Sequence, residues 1–208
     1  MYVPTHFEEA RFDELQRIIG QHPLGALVIN GPNGLDANHV PFELDAAPGE
    51  RGVLRAHVAR ANPVWTEVRG GDDVLVIFRA ADAYVSPNWY PTKHESHKAV
   101  PTWNYQVVHV HGKIGIRDDE RYVRGLVARL TRTHEANANP GNAWRMTDAP
   151  KEYIDEMLKA IVGIEIEITR IVGKSKVSQN REERDRVSVA EELGKRGQEE
   201  ISRAMLKP

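Results

Sequence analysis

Val107-Val108-His109-Val110-His111-Gly112-Lys113-Ile114-Gly115-Ile116 is an alternating stretch, and its reading decides the fold. Val108, Val110, Gly112, Ile114 and Ile116 fall on one face of an extended chain; Val107, His109, His111 and Lys113 fall on the other. One apolar face and one polar face describe a strand of an antiparallel sheet. Toward the C-terminus, Asp118 or Asp119 opens a helix with the stripe Tyr122, Val123, Leu126, Val127 and Leu130. Asp148 caps a second helix that turns Tyr153, Ile154, Met157, Leu158 and Ile161 inward. Ile164–Ile171 alternates Ile with charged residues and reads as a last strand, followed by the polar run Lys174–Asn180. Toward the N-terminus, a Pro-rich loop from Pro87 to Pro101 precedes it. Before that loop come strands at Val74–Phe78 (running on to Tyr84-Val85-Ser86), Val53–Val58, Leu35–Leu44 and Leu24–Ile29. Gly31-Pro32-Asn33-Gly34 and Ala46–Gly52, with Pro48, Gly49 and Gly52, are the turns between them. Thr5-His6-Phe7-Glu8 has the form of a capping box for a first helix carrying Phe12, Leu15, Ile18 and Ile19 and ending at Gly20 and Pro23. Strands in runs with single helices between them predict an α+β, mainly β chain: an antiparallel sheet or barrel with flanking helices. The division expected is 1–180 for this body and 181–208 for a charged helical tail. The tail's helix would open at Ser188-Val189-Ala190-Glu191, with only Val189, Leu193, Ile201 and Met205 to bury, and so pack weakly or on a partner.

The 208 residues suffice for a full core without covalent staples. With no cysteine, disulfide scaffolds, Cys-ligated zinc, iron–sulfur clusters and thiol catalysis are excluded. The longest apolar runs, Leu24 to Ile29 and Val74 to Phe78, are far too short to span a bilayer, and the N-terminus has neither a basic stretch nor an apolar signal region. A cytoplasmic protein with no membrane partner is expected. Lys and Arg number 28 against 30 Asp and Glu, a balance unsuited to a chain that must neutralise phosphates along DNA.

Three stretches carry candidate chemistry. His57-Val58-Ala59-Arg60-Ala61-Asn62-Pro63 is either a strand end with an Asn-Pro turn or an anion site, since His, Arg and Asn donors crowd one corner. Tyr84-Val85-Ser86-Pro87-Asn88-Trp89-Tyr90-Pro91-Thr92-Lys93 and Val100-Pro101-Thr102-Trp103-Asn104-Tyr105 are aromatic clusters fixed by prolines and interleaved with donors. They would plug the end of a barrel or stack on a planar ligand bonded at its edges. His109 and His111 share a strand face, but spacing places no third ligand beside them; the reading is hydrogen-bonded histidines and no metal. His94-Glu95-Ser96-His97 reads as a solvated loop.

These pieces, together with Met1-Tyr2-Val3-Pro4-Thr5-His6-Phe7, His39-Val40-Pro41-Phe42, Val108–Gly112 and Lys174-Ser175-Lys176-Val177-Ser178-Gln179-Asn180, run in an order that resembles the PaiB family of FMN-binding negative transcriptional regulators. One departure is Arg79-Ala80-Ala81, where the family pattern has a glycine near a turn. The resemblance implies a split β-barrel like that of the pyridoxamine-phosphate oxidases, and a homodimer with FMN at the subunit seam. It implies Arg60 and Lys93 at the phosphate, supported by His57 and Ser86. Asn62, Asn104 and Gln179 would bond the ring edge or ribityl chain. Trp89, Tyr90 and Trp103 would wall the ring, with Thr102 in the same motif, and Lys176 would place charge near N1. A repressor is implied too. Yet no basic recognition helix is visible, and Arg181–Arg186 mixes Arg with Asp and Glu, which argues against direct DNA binding. Regulation would then run through a flavin-dependent sensor or a partner. Two alternatives stand beside it: a flavin-dependent oxidoreductase, and a haem-binding split barrel with His109 or His111 as axial ligand. No residue is an obvious proton donor or nucleophile.

Overall fold

A computed structural model describes residues 1–46 and 51–207. Pro48 and Gly49 of the expected turn lie outside these residues. In chain order the elements are β1 (Glu8–Glu9), α1 (Phe12–Gln21), β2 (Leu24–Gly31), β3 (Gly34–Pro41), β4 (Glu43–Asp45), β5 (Val53–Ala59), α2 (Val64–Glu67) and β6 (Asp73–Val85). There follow α3 (Pro91–Ser96), β7 (Thr102–Arg117), α4 (Glu120–Ala138), α5 (Lys151–Lys159), β8 (Ile161–Lys176), α6 (Glu183–Lys195) and α7 (Glu199–Leu206). The chain forms two compact units: residues 1–22, 78–109 and 172–208, and residues 23–77 and 110–171. The long strands β6, β7 and β8 pass through both.

In the second unit the strands stand in the order β3-β2-β6-β7-β8-β5-β4. β2 and β3 form a hairpin whose register closes at Gly31 opposite Gly34, and Gly34 takes the positive φ of 99° that the tight turn needs. β5 lies antiparallel to β8, from Val53 opposite Glu167 to Ala59 opposite Ile161. The expected single strand Leu35–Leu44 is two strands. They part at Phe42, whose amide still follows the β2–β3 register by donating to the Pro23 carbonyl at 2.8 Å, while Glu43–Asp45 pair with β5. Alternation along β7 holds: Val108, Val110 and Ile114 are buried. Residue 112 shares their face and is glycine because a Cβ there would stand 2.5 Å from the Glu167 carbonyl oxygen and from Ile166 Cγ2. α4 opens with the Asp119 carboxylate accepting from the Tyr122 amide at 2.8 Å. Val123 of α4 packs on Ile154 and Leu158 of α5. Beneath α4, Glu165 accepts from Arg55 Nε at 3.1 Å, Arg117 Nη2 at 2.6 Å and the Tyr122 hydroxyl at 3.1 Å. Burial, and then the Glu165 charge, push the Tyr122 phenol up to about 12.

In the first unit β1 adds to β8, with Glu8 opposite Lys174 and Glu9 opposite Gly173. The Thr5–Glu8 pattern does not cap a helix: Thr5–Phe7 is a single 3-10 turn, and Glu8 goes to the strand pair. α1 starts at Phe12 and buries Leu15, Ile18 and Ile19. β6 runs straight through Arg79-Ala80-Ala81, so no turn there requires a glycine. Within the expected Pro-rich loop Pro87–Trp89 is a 3-10 turn and Pro91–Ser96 the helix α3, which takes in most of the expected His94–His97 loop. β8 runs on to Lys176, so the first residues of the expected polar loop are strand. The tail departs most from expectation. It forms two helices, the first opening at Glu183 and not at Ser188, whose hydroxyl donates to the Trp89 carbonyl at 2.8 Å. Val189, Ala190, Leu193, Ile201 and Met205 are buried in one cluster with Ala83, Val85, Tyr90 and Val177. Each helix carries a short stripe of its own (189, 190 and 193; 201 and 205). Read as one long helix, the same residues look too sparse to pack.

Candidate functional site

The second unit holds His57, Arg60 and Asn62 at the end of β5. Burial holds the His57 imidazole below its ordinary value, and its Nδ1 is buried without a hydrogen-bond partner. Arg60 is fully engaged. Its Nη1 and Nη2 grip Asp118 at 2.8 and 2.6 Å, Nε donates to the Lys159 carbonyl at 2.7 Å, and Nη2 reaches the Ile161 carbonyl at 3.3 Å. The Arg60 guanidinium in turn holds the Asp118 carboxyl below the usual carboxylate range. Asn62 is a turn residue: Oδ1 accepts from the Val64 amide at 2.9 Å, opening α2, and Nδ2 donates to Asn38 at 2.8 Å. Thus the donors of Arg60 and Asn62, expected at FMN, are bonded within the protein.

The other expected residues sit in the first unit, and here too several are internal. Ser86 Oγ accepts from the Asn88 amide at 3.3 Å, and Lys93 Nζ donates to Asn88 Oδ1 at 3.0 Å. The buried Asn104 pairs with Ser178, Nδ2 to Oγ at 3.0 Å, and also reaches the Met205 sulfur. Gln179 staples the turn after β8: Oε1 accepts from the Val177 amide at 2.8 Å, and Nε2 donates to the Ser175 carbonyl at 2.6 Å. Ser178 at the same turn holds φ at 63°, a conformation costly for a residue with a side chain. Trp89 is half-buried under the Arg196 guanidinium, 4.9 Å from the ring centre. Tyr90 is buried. Its hydroxyl lies near Ser178 and Arg181 without reaching hydrogen-bond geometry, and burial raises its phenol. Trp103 is exposed and meets Tyr84 edge-on at 6.0 Å.

Lys176 is the centre of a different grouping. Its ammonium donates to Thr102 Oγ1 and to the Trp103 carbonyl, and it stands 5.9 Å from the Phe7 ring. Lys174, two residues before it on the same face of β8, lies 5.4 Å from the Tyr105 ring and 5.8 Å from Tyr2. Arg181 stands over Tyr90 at 5.2 Å. Burial, then the charges of Lys174 and Arg181, hold Lys176 below its ordinary value. No carboxylate pairs with any of the three among the described residues. Three unneutralised cations among four aromatic rings fit a ligand that is part anion and part planar ring. For Lys174 the sequence holds a signal, its alternation with Lys176 as on one face of a strand; for Arg181 it holds none. On β7, His111 Nε2 contacts Arg170 Nη2 at 2.9 Å, and among the described residues no group of three or more His, Asp or Glu is arranged to hold a metal.

This architecture is that of the split-barrel flavin proteins. Residues 1–170 match the family described as "Putative FMN-binding domain". The chain belongs to that family, and FMN is its cofactor. Over 193 residues it is 32% identical to "Protease synthase and sporulation protein PAI 2" of Bacillus subtilis (strain 168), covering 93% of this chain and 89% of that one. Among solved structures it is similar to the flavocytochrome Anf3 of Azotobacter vinelandii (TM-score 0.58, 13% identity, 88% of this chain and 77% of that one). It is also similar to the conserved hypothetical protein Rv2991 of Mycobacterium tuberculosis (TM-score 0.61, 11% identity, 88% and 94%). At these identities the structures speak for the fold alone.

Proposed function

We propose that the chain is a homodimeric FMN protein acting as a flavin-dependent regulator or sensor, with the FMN phosphate held by Lys176, Lys174 and Arg181. The observation that carries the site is a set of three cations beside aromatic rings that, among the described residues, meet only neutral acceptors and no carboxylate. A phosphate dianion relieves their mutual repulsion, whereas one lysine near N1 would not need two further cations. When bound, FMN supplies the electron and hydride chemistry; the chain's part is to hold and orient it. Regulation is supported by the resemblance to the PaiB family; the B. subtilis relative is named for protease synthesis and sporulation. With 28 basic and 30 acidic residues this chain would act through a partner more readily than on DNA.

Titration with FMN and with riboflavin, which lacks the phosphate, tests the site. Lys176→Gln should weaken FMN by about tenfold or more and riboflavin little. Equal losses would move Lys176 to the ring, and no loss would remove it from the site. Rapid anaerobic reduction of the bound flavin by NADH or NADPH would favour the oxidoreductase reading over the sensor.

A further inference from the structure

A cavity of about 560 Å³ lies in the second unit and shares no lining residue with the groups assigned above. Its floor is one face of α4, where Ala128, Thr131 and Ala136 are too small to fill it. Its wall is the segment after α4, which folds back so that Trp144 and Met146 stand over that floor. The wall is built, not draped. The Glu135 carboxylate accepts from the Trp144 amide and from Asn139 Nδ2, both at 3.0 Å, and these bonds lower the Glu135 carboxyl. Asp148 then accepts from the Arg145 amide at 2.9 Å and closes the next turn. This anchoring fixes the backbone of Trp144 while leaving the residue 42% exposed. An indole held in that way covers no core of its own and presents a face.

The charges define the rest. Arg132 and Arg145 line the slot, and neither guanidinium meets a carboxylate among the described residues. The nearby carboxylates, Glu135 and Asp148, are occupied by backbone amides. An apolar slot with an aromatic wall and two free guanidinium forks complements a flat apolar body bearing an anion. We infer that this slot binds an aromatic carboxylate, its ring against Trp144 and its carboxylate between Arg132 and Arg145. The inference is independent of the flavin assignment, since no residue is shared.

Calorimetric titration of the FMN-loaded 208-residue chain with 2-naphthoate and its neutral isostere 2-naphthamide tests it. The acid should bind at least about fivefold tighter than the amide, and added salt should erase the difference. The double variant R132Q/R145Q should make the two ligands equal. Trp144→Ala should weaken both alike, by about threefold to tenfold. The flavin spectrum of each variant reports that it is folded, and these side chains are exposed. Equal affinity of acid and amide for the wild type, no binding of either, or an unchanged preference in R132Q/R145Q would overturn the proposal. A slot that takes neither probe, and whose Trp144→Ala variant instead loosens self-association in light scattering, would belong to a second copy of the chain.

Discussion

Lys176 shows how a single residue ties strand, charge and ligand together. Its depressed pKa means that, below the ordinary lysine value of about 10.5, the unfolded chain holds a proton that the folded chain holds less firmly. Stability of the flavin-free protein therefore rises with pH through the window between the folded and ordinary values, and near neutrality the charged Lys176 is a cost. Binding of an anion reverses the preference. FMN affinity should consequently fall as pH rises through the lysine's own lowered pKa, at a pH where an ordinary lysine would still be charged. Lys176→Met should flatten that profile, weaken FMN and raise the unfolding midpoint of the apoprotein. Fluorescence titrations against pH and urea melts check both limbs; an unchanged pH profile in the variant would detach Lys176 from the ligand. Arg60 is the contrary case. The sequence shows a corner rich in donors, but not that Asp118, 58 residues on, takes the guanidinium. A long-range partner leaves no local trace, whereas the alternation of Lys174 and Lys176 does.

Elements differ in how openly they declare themselves. β7 was legible because one face is buried and the other is not, so its period of two survives in the residues. α4 declared itself by its cap and its stripe. α6 and α7 did not, because each buries only a few side chains and Gly197, at φ 74°, breaks the run between them. The structure makes them part of the core. Leu193 is fully buried, so Leu193→Ala should cost about 2–5 kcal/mol by urea denaturation. A truly peripheral tail would lose under about 0.5 kcal/mol, as surface sites do. Asp185 of α6 is also buried, and its carboxylate accepts from both the amide and the hydroxyl of Thr92 at the start of α3. Asp185→Ala strands those donors and should cost about 1–3 kcal/mol, with Asp185→Asn recovering part of it. Because α3 follows the Ser86–Tyr90 turn directly, both substitutions should also loosen the loop bearing Trp89 and Tyr90. Hydrogen exchange at those amides would show it. Unaltered exchange alongside the lost stability would confine the effect to the helices.

At the scale of the molecule, the question is what covers the apolar surface that the chain leaves in water. In the first unit Tyr84 is 45% and Trp103 54% exposed, edge to face with each other, and Val100 and Tyr2 are more exposed still. The edge-to-face pair stabilises itself, but it leaves both outer ring faces in water, and a symmetric contact with a second copy would cover them. Net charge gives little opposition, at −2 per chain. The expected species is a dimer of twice 23.5 kDa at micromolar concentration. Tyr84→Lys places a charge in that contact without touching the cations assigned to the phosphate, so it should shift light scattering toward the monomer. If the flavin is shared across the seam, FMN affinity of Tyr84→Lys should fall with dimerisation and recover as protein concentration rises. A variant that becomes monomeric yet binds FMN at full strength would place the whole flavin site within one chain. A wild type that is monomeric at micromolar concentration would leave Tyr84 and Trp103 to some other partner.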